Sequence, residues 1–177
     1  MNLFQYMGFV TRMTIIATCL VLFTSCGYRF AGSQGLPQGI ERLYIQLLEN
    51  KTSEPGIDSV VTNELKNVFI RKYRGVLVDR EVAAAILSGA VVGIRTETVA
   101  RRGVLTAIER SVSMIIDLKL NTSGNERIWF AKGITGSDTY AVVSGDKETT
   151  ERNKRNALAD LAERIAEMSF YRLTDDF

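Results

Sequence analysis

Five apolar residues at every second position, Val112, Met114, Ile116, Leu118 and Leu120, alternate with Ser111, Ser113, Asp117, Lys119 and Asn121. Successive side chains of an extended chain point to opposite faces, so this pattern sorts itself only as a strand with one dry and one wet face. Ile115 is the lone apolar residue on the wet side. A helix would scatter the same residues around its cylinder and bury no continuous surface. Ser123-Gly124-Asn125 then turns the chain into a partner strand, Arg127 to Thr135. Upstream, Ala85 to Val99 reads as a long strand interrupted by Gly89 and Gly93. Glycine inside a strand marks a bulge or the close approach of another backbone. Arg101-Arg102-Gly103 reads as a hairpin tip, so three strands form an antiparallel meander.

Arg42 to Leu48 is a further β-rich run, ended by Glu49-Asn50 and a turn around Pro55. Ile57, Val60, Val61, Leu65, Val68 and Phe69 recur at helical spacing up to about Tyr73, and Gly75 follows as a left-handed cap. A short run, Val76 to Val78, precedes Asp79-Arg80-Glu81. Val142 to Thr150 reads as a polar loop. From Glu151 to Leu173, Leu158, Leu161, Ala162, Ile165, Met168 and Leu173 line one side of a second helix. The order β-α-β-β-β-α gives an α+β fold: two amphipathic helices packed on one face of a four-stranded, mostly antiparallel sheet. The other face, carrying Asp117 and Lys119, meets water or a partner. Trp129 and Phe130 are neighbours on a strand and point to opposite sides, one into the core, the other into an interface or a second buried environment.

The front of the chain carries a different signal. Arg12 precedes an apolar stretch, Ile15 to Phe23, followed by Thr24-Ser25-Cys26. That is the layout of a secretory signal peptide, too short to span a bilayer, which takes roughly 20 residues. Small residues followed at once by cysteine resemble a bacterial lipobox, although Phe23 stands where leucine is usual. The resemblance implies cleavage before Cys26 and a covalent lipid on it, and two or three acyl chains make attachment effectively permanent. Met7 and Met13 are alternative initiators. Residues 1–25 are then the signal, 26–39 a glycine-rich tether and 40–177 a single domain. Gly27, in place of the aspartate that retains enterobacterial lipoproteins in the inner membrane, implies the outer membrane by the same resemblance. Cys19 leaves with the signal and Cys26 is acylated, so no disulfide forms.

A formal charge of +2 gives no global field to recruit nucleic acid. With no histidine there is no imidazole base and no histidine-ligated metal. No glycine-rich phosphate loop occurs, and Asp79, Asp117 and Asp138 fall on different elements, so neither a catalytic group, a metal site nor a cofactor is expected. Arg95, Arg101, Arg102 and Arg110 flank one hairpin. They suit an anionic group such as phosphate, which arginine grips bidentately, although an ordinary solvated tip is the simpler reading. Arg101 and Arg102 are the candidate ligand contacts.

Taken together, Cys26 to Phe177 resembles the lipopolysaccharide-assembly lipoproteins of the LptE family. The resemblance rests on Cys26-Gly27-Tyr28-Arg29-Phe30, on Leu36-Pro37 through Ile40-Glu41-Arg42-Leu43-Tyr44-Ile45, and on Glu49-Asn50-Lys51-Thr52-Ser53-Glu54-Pro55-Gly56. The stretch ending Ala84-Ala85-Ile86-Leu87-Ser88-Gly89 stands where relatives carry Ala-Asp-x-x-Leu-x-Gly, with alanine in place of the aspartate; Ala157-Leu158 and Leu161-Ala162 open the final helix. It implies an outer-membrane lipoprotein, facing the periplasm or the lumen of a large β-barrel translocon that it plugs, with lipopolysaccharide as ligand and no enzymatic activity. A runner-up is a lipoprotein of the curli-secretion or penicillin-binding-protein-activator type, on the strength of Leu43-Tyr44-Ile45, Asn50-Lys51-Thr52 and Val78-Asp79-Arg80. That fold needs another helix after the Asp79-Arg80 pair.

Overall fold

In the computed structural model, the described residues are Leu36, 39–102 and 106–175. They belong to one compact unit, Gly35–Phe177. The elements run β1 (Leu43–Ile45), β2 (Glu49–Asn50), α1 (Ile57–Lys72), a single 3-10 turn (Arg80–Val82), β3 (Ala85–Arg102), β4 (Thr106–Thr122), β5 (Arg127–Ala141) and α2 (Lys147–Asp175). The signal segment, Cys26, nearly all of the tether, Gly103 and the side chain of Arg102 lie outside the described residues.

The sheet has five strands in the order β1-β3-β4-β5, with the two-residue β2 also paired to β3. β3, β4 and β5 form the expected antiparallel meander, while β1 and β2 run parallel to β3. The parallel pairing follows from α1, which returns the chain to the end where β1 began. The turn after Asp79-Arg80 is a single 3-10 turn, and strand resumes at Ala85. The helix that the runner-up requires at that point is replaced by the turn.

Val112, Met114, Ile116, Leu118 and Leu120 are all buried, and α1 and α2 both pack over that face. Each such side chain contributes about 1.5–3 kcal/mol when fully buried. Ile57, Val61, Leu65, Val68 and Phe69 form the buried stripe of α1, and Leu158, Leu161, Ala162, Ile165 and Leu173 that of α2. Val60 and Met168, expected in the stripes, sit at their edges and are exposed. Thr62 takes an inner position instead, because its hydroxyl donates to the Asp58 carbonyl at 2.6 Å and accepts the Leu48 N–H at 3.0 Å. α1 ends at Lys72 with Tyr73 as its cap, at φ −138°, and Gly75, at φ 79°, lies in the turn just after it and is not the cap itself.

Two differences from the sequence reading share a cause. β5 continues past Thr135 to Ala141, and α2 begins at Lys147 inside the stretch expected to be loop. Gly136 faces α2, and a Cβ there would fall 2.9 Å from Leu161 Cδ1. The helix, not a strand side chain, supplies the apolar contact at that register. The helix start is closed by Asp146, whose carboxylate accepts the Thr149 N–H at 2.9 Å and hydroxyl at 2.7 Å.

Candidate functional site

Both helices lie on one side, so the opposite face of the sheet is left open among the described residues. β4 contributes Ser111, Ser113, Ile115, Asp117 and Lys119 to it, as the alternation requires. Trp129 is 6% exposed and belongs to the core, whereas Phe130 is 42% exposed and stands on the open face opposite Lys119. The Arg127 guanidinium carbon lies 5.5 Å from the Phe130 ring centroid and Lys132 Nζ lies 5.6 Å from it. Cations at that range are attracted to the ring quadrupole by about 0.5–1 kcal/mol at an exposed site. The result is an aromatic plate edged by positive charge, and its sequence signal is the spacing Arg127, Phe130, Lys132 on one strand.

The sheet is irregular beside this plate. Val92 is an extra residue in β3 between the pairs Val91–Ile116 and Gly93–Ile115. In β5 the register shifts between Ile134 and Ala131, where Gly133 adopts φ 65° and donates its N–H to Asp117 Oδ1 at 2.8 Å. Bulges increase local twist and re-aim side chains. Gly89 meets the other expectation for a strand glycine: a Cβ there would fall 2.1 Å from the Asp117 backbone oxygen. On the open face a shallow depression of about 180 Å³ reaches Lys51, Asp117 and Phe130. A larger groove of about 460 Å³ opens between the β1–β2 link, the floor of β3 and the β4–β5 turn.

The hairpin arginines do not form one cluster. Arg95 pairs across with Ser113 and so shares the open face. Arg110 pairs with Thr98 and Tyr140, and Tyr140 is buried on the helix side, so Arg110 belongs to the opposite face. Strand alternation separates them despite their closeness along the hairpin. Arg101 is exposed beyond Glu109–Ala141, the last β4–β5 pair, on a two-stranded extension of the sheet. Asp79, Asp117 and Asp138 are likewise apart: the first is exposed at the 3-10 turn, the second holds Gly133, and the third pairs with Arg164 of α2. Among the described residues no group of three metal-ligating side chains occurs, and no helix is long and apolar enough to cross a membrane.

Two shifted ionisations belong to the helical layer. Asp146 is held below the usual carboxylate range, first by the Thr149 backbone N–H and then by its hydroxyl. Lys72 is raised because its ammonium donates to the Tyr171 hydroxyl at 2.9 Å.

The family model described as LptE, lipopolysaccharide-assembly, matches residues 40–173. No curated protein sequence matches the chain. Among solved structures, lipoprotein B from Nitrosomonas europaea is 15% identical with a TM-score of 0.55, over 80% of this chain and 86% of that one. The rare lipoprotein B from Shewanella oneidensis is 11% identical with a TM-score of 0.49, over 75% and 95%. A minor lipoprotein from Acinetobacter baumannii is 13% identical with a TM-score of 0.48, over 77% and 93%. The Nitrosomonas likeness shows a shared fold.

Proposed function

The chain belongs to the LptE lipopolysaccharide-assembly family, and from that premise we propose that it is an outer-membrane lipoprotein, anchored through lipid on Cys26, that plugs and helps assemble a β-barrel translocon inserting lipopolysaccharide into the outer leaflet. The observation that carries the reading is the match across nearly the whole described domain. The open sheet face supports it physically. Lumens of outer-membrane barrels are polar, and a plug seated there needs a surface that is polar without being densely charged. A face that mixes serines and threonines with Ile115, the Phe130 plate and scattered charges of both signs, among them Arg95, Asp117 and Lys119, has that character. The helical layer closes the core on the other side of the sheet.

In this reading the protein is a non-catalytic scaffold. Cations that suit phosphate groups on the glycolipid stand in two places: Arg127 and Lys132 beside Phe130 on the open face, and Arg101 and Arg102 at the hairpin end of β3. Phe130 offers apolar contact next to them.

An affinity-tagged full chain, solubilised from membranes, tests the proposal. It is expected to fractionate with the outer membrane and to recover a very large β-barrel protein in stoichiometric amount. The Cys26→Ala form is expected to lose firm membrane attachment or to retain its uncleaved signal. Recovery of a murein synthase in place of a barrel would overturn the reading in favour of an enzyme-activating lipoprotein.

A further inference from the structure

β3 outruns the short strands on its outer side. β1 and β2 pair with it only between Ala85 and Val91, and the last backbone bond on that edge runs from the Lys51 N–H to the Val91 carbonyl at 2.9 Å. Beyond that point no strand among the described residues lies against it. Val92 is extra in the β3–β4 ladder, and so is Val99, between the pairs Thr98–Arg110 and Ala100–Glu109. The two bulges bound a regular stretch, Gly93 to Thr98, whose outer edge is free.

The ladder fixes which backbone groups face outward there. Thr135 Oγ1, on β5, donates to the Met114 carbonyl at 3.0 Å, so that carbonyl points away from β3. Alternation then turns the backbone groups of Ser111, Ser113 and Ile115 toward β3, and those of their partners Glu97, Arg95 and Gly93 toward β4. Ile94, Thr96 and Thr98 are left with N–H and C=O groups facing outward. Arg95 and Glu97 are exposed on the open face, and among the described residues neither has an opposite charge within 4 Å.

Such an edge is a template for another strand, and its charges select which one. An antiparallel strand must set its own outward groups opposite Ile94, Thr96 and Thr98, so its register can slip only by two residues at a time. For a second copy of the same stretch, a two-fold axis at Arg95 or at Glu97 sets like charges face to face. An axis at Thr96 sets Arg95 against Glu97 of the second copy, twice. We infer that the Gly93–Thr98 edge pairs with the same edge of a second copy of this chain, antiparallel about a two-fold axis at Thr96. The outward groups of Ile94, Thr96 and Thr98 bond across the axis, opposite charges favour this register, and like charges penalise its neighbours. The contact is short, so it opens in dilute solution and closes where chains are crowded. Lipid on Cys26 supplies that crowding; this clause alone rests on the anchor proposed above.

Thr96→Cys in the full chain tests the inference. The axis brings the two substituted positions to about 5.5 Å between Cα atoms, within disulfide reach. Cys19 leaves with the signal and Cys26 carries lipid, so no other thiol competes. Membranes holding the overproduced chain are oxidised with copper phenanthroline and read on a non-reducing gel. A covalent dimer is expected from Thr96→Cys and little from Thr98→Cys, where the axis holds the two positions roughly 13 Å apart along the strand. Adding Glu97→Arg to Thr96→Cys is expected to cut the dimer about fivefold at low salt, and adding Arg95→Glu as well to restore it. Arg95, Thr96 and Glu97 are exposed, so these variants keep the fold. No dimer from Thr96→Cys in the membrane fraction, equal dimer from Thr98→Cys, or indifference to the charge exchange would each overturn the inference. A chain that is not membrane-bound would instead sink the anchor reading. The same variants, with Cys19→Ser and Cys26→Ser, are then oxidised in solution at near-millimolar concentration, where the same pattern is expected and its absence overturns the pairing.

Discussion

Arg164 of α2 reaches the edge strand β5, where it pairs with Asp138 at 2.9 Å and donates to the Ser137 carbonyl at 3.2 Å. Asn153, also on α2, donates to the Ala141 carbonyl at 3.0 Å, and Asp138 Oδ1 accepts the Thr139 N–H at 2.8 Å. Two carbonyls and one N–H of the outward-facing backbone of Ser137–Ala141 are therefore occupied by side chains. An edge strand with free N–H and C=O groups is a template for pairing with another chain, and covering it is one way to prevent that.

Removing the cover with Arg164→Ala and Asn153→Ala is expected to change association more than stability. Exposed ion pairs contribute about 0–1 kcal/mol, so the melting temperature should move little. Light scattering on the purified chain is expected to show concentration-dependent dimers or larger species absent from the wild type. A strictly monomeric double variant would show that the edge is protected by other means.

Gly89 and Gly93 lie four residues apart on β3 and differ sharply in what a methyl group would meet. At Gly89 the added carbon collides with the Asp117 backbone, whereas at Gly93 the nearest atom is Ile115 Cδ1 at 3.7 Å. Backbone cannot give way as a side chain can. Gly89→Ala is expected to destabilise the domain by about 3 kcal/mol, the upper part of the overpacking range, and Gly93→Ala by less than about 1 kcal/mol. Urea denaturation of the two variants separates them, and equal midpoints would contradict the close-approach argument.

Segments whose two faces meet different surroundings were the legible ones. Ser111 to Asn121 announces its strand because the helices cover one side and, among the described residues, the other is left open. The second half of β5 has no such contrast in its own residues: Gly136 and Asp138 face α2, which brings Leu161 and Arg164 to them. The first turn of α2 is polar because it precedes the packed stripe, although Asp146 with Thr149 three residues on is a capping signal. Parallel pairing of β1 and β2 depends on where α1 returns the chain, which no local pattern encodes. The same holds for the site. The exposure of Phe130 against the burial of Trp129 follows from strand alternation, but the arginines, grouped by sequence proximity, divide between two faces. The groove is assembled from segments far apart in the chain and is invisible to any window.

The cap on α2 makes its own prediction. The folded pKa of Asp146 is depressed, so its contribution is fully present above the ordinary aspartate value and is lost as pH falls through the folded value. Nothing from this group should change between neutral pH and about pH 5, since an unperturbed aspartate titrates near 4. In an acid titration followed by NMR, the Thr149 amide is expected to shift with a midpoint below that of a free aspartate. Asp146→Ala should abolish that transition. A midpoint at or above the free value would show that the Thr149 bonds do not hold the carboxylate ionised.

The final prediction concerns the hairpin that extends past the end of β5. Arg101 is exposed there, and Arg102 follows it at the end of β3. In a plug seated within a barrel, such an extension points along the pore, where phosphorylated glycolipid would meet it. Replacing both arginines with glutamate reverses the local charge. Binding of lipopolysaccharide to the purified full chain is then expected to fall about tenfold at low ionic strength, equivalent to about 1.4 kcal/mol. The deficit should shrink as salt is raised toward 1 M, where the screening length drops to about 3 Å. Co-purification with the barrel should survive, because the open face and the helices are unaltered. Loss of barrel recovery with unchanged glycolipid binding would reassign the tip to the protein interface. Unchanged behaviour in both assays at low salt would make it an ordinary solvated turn.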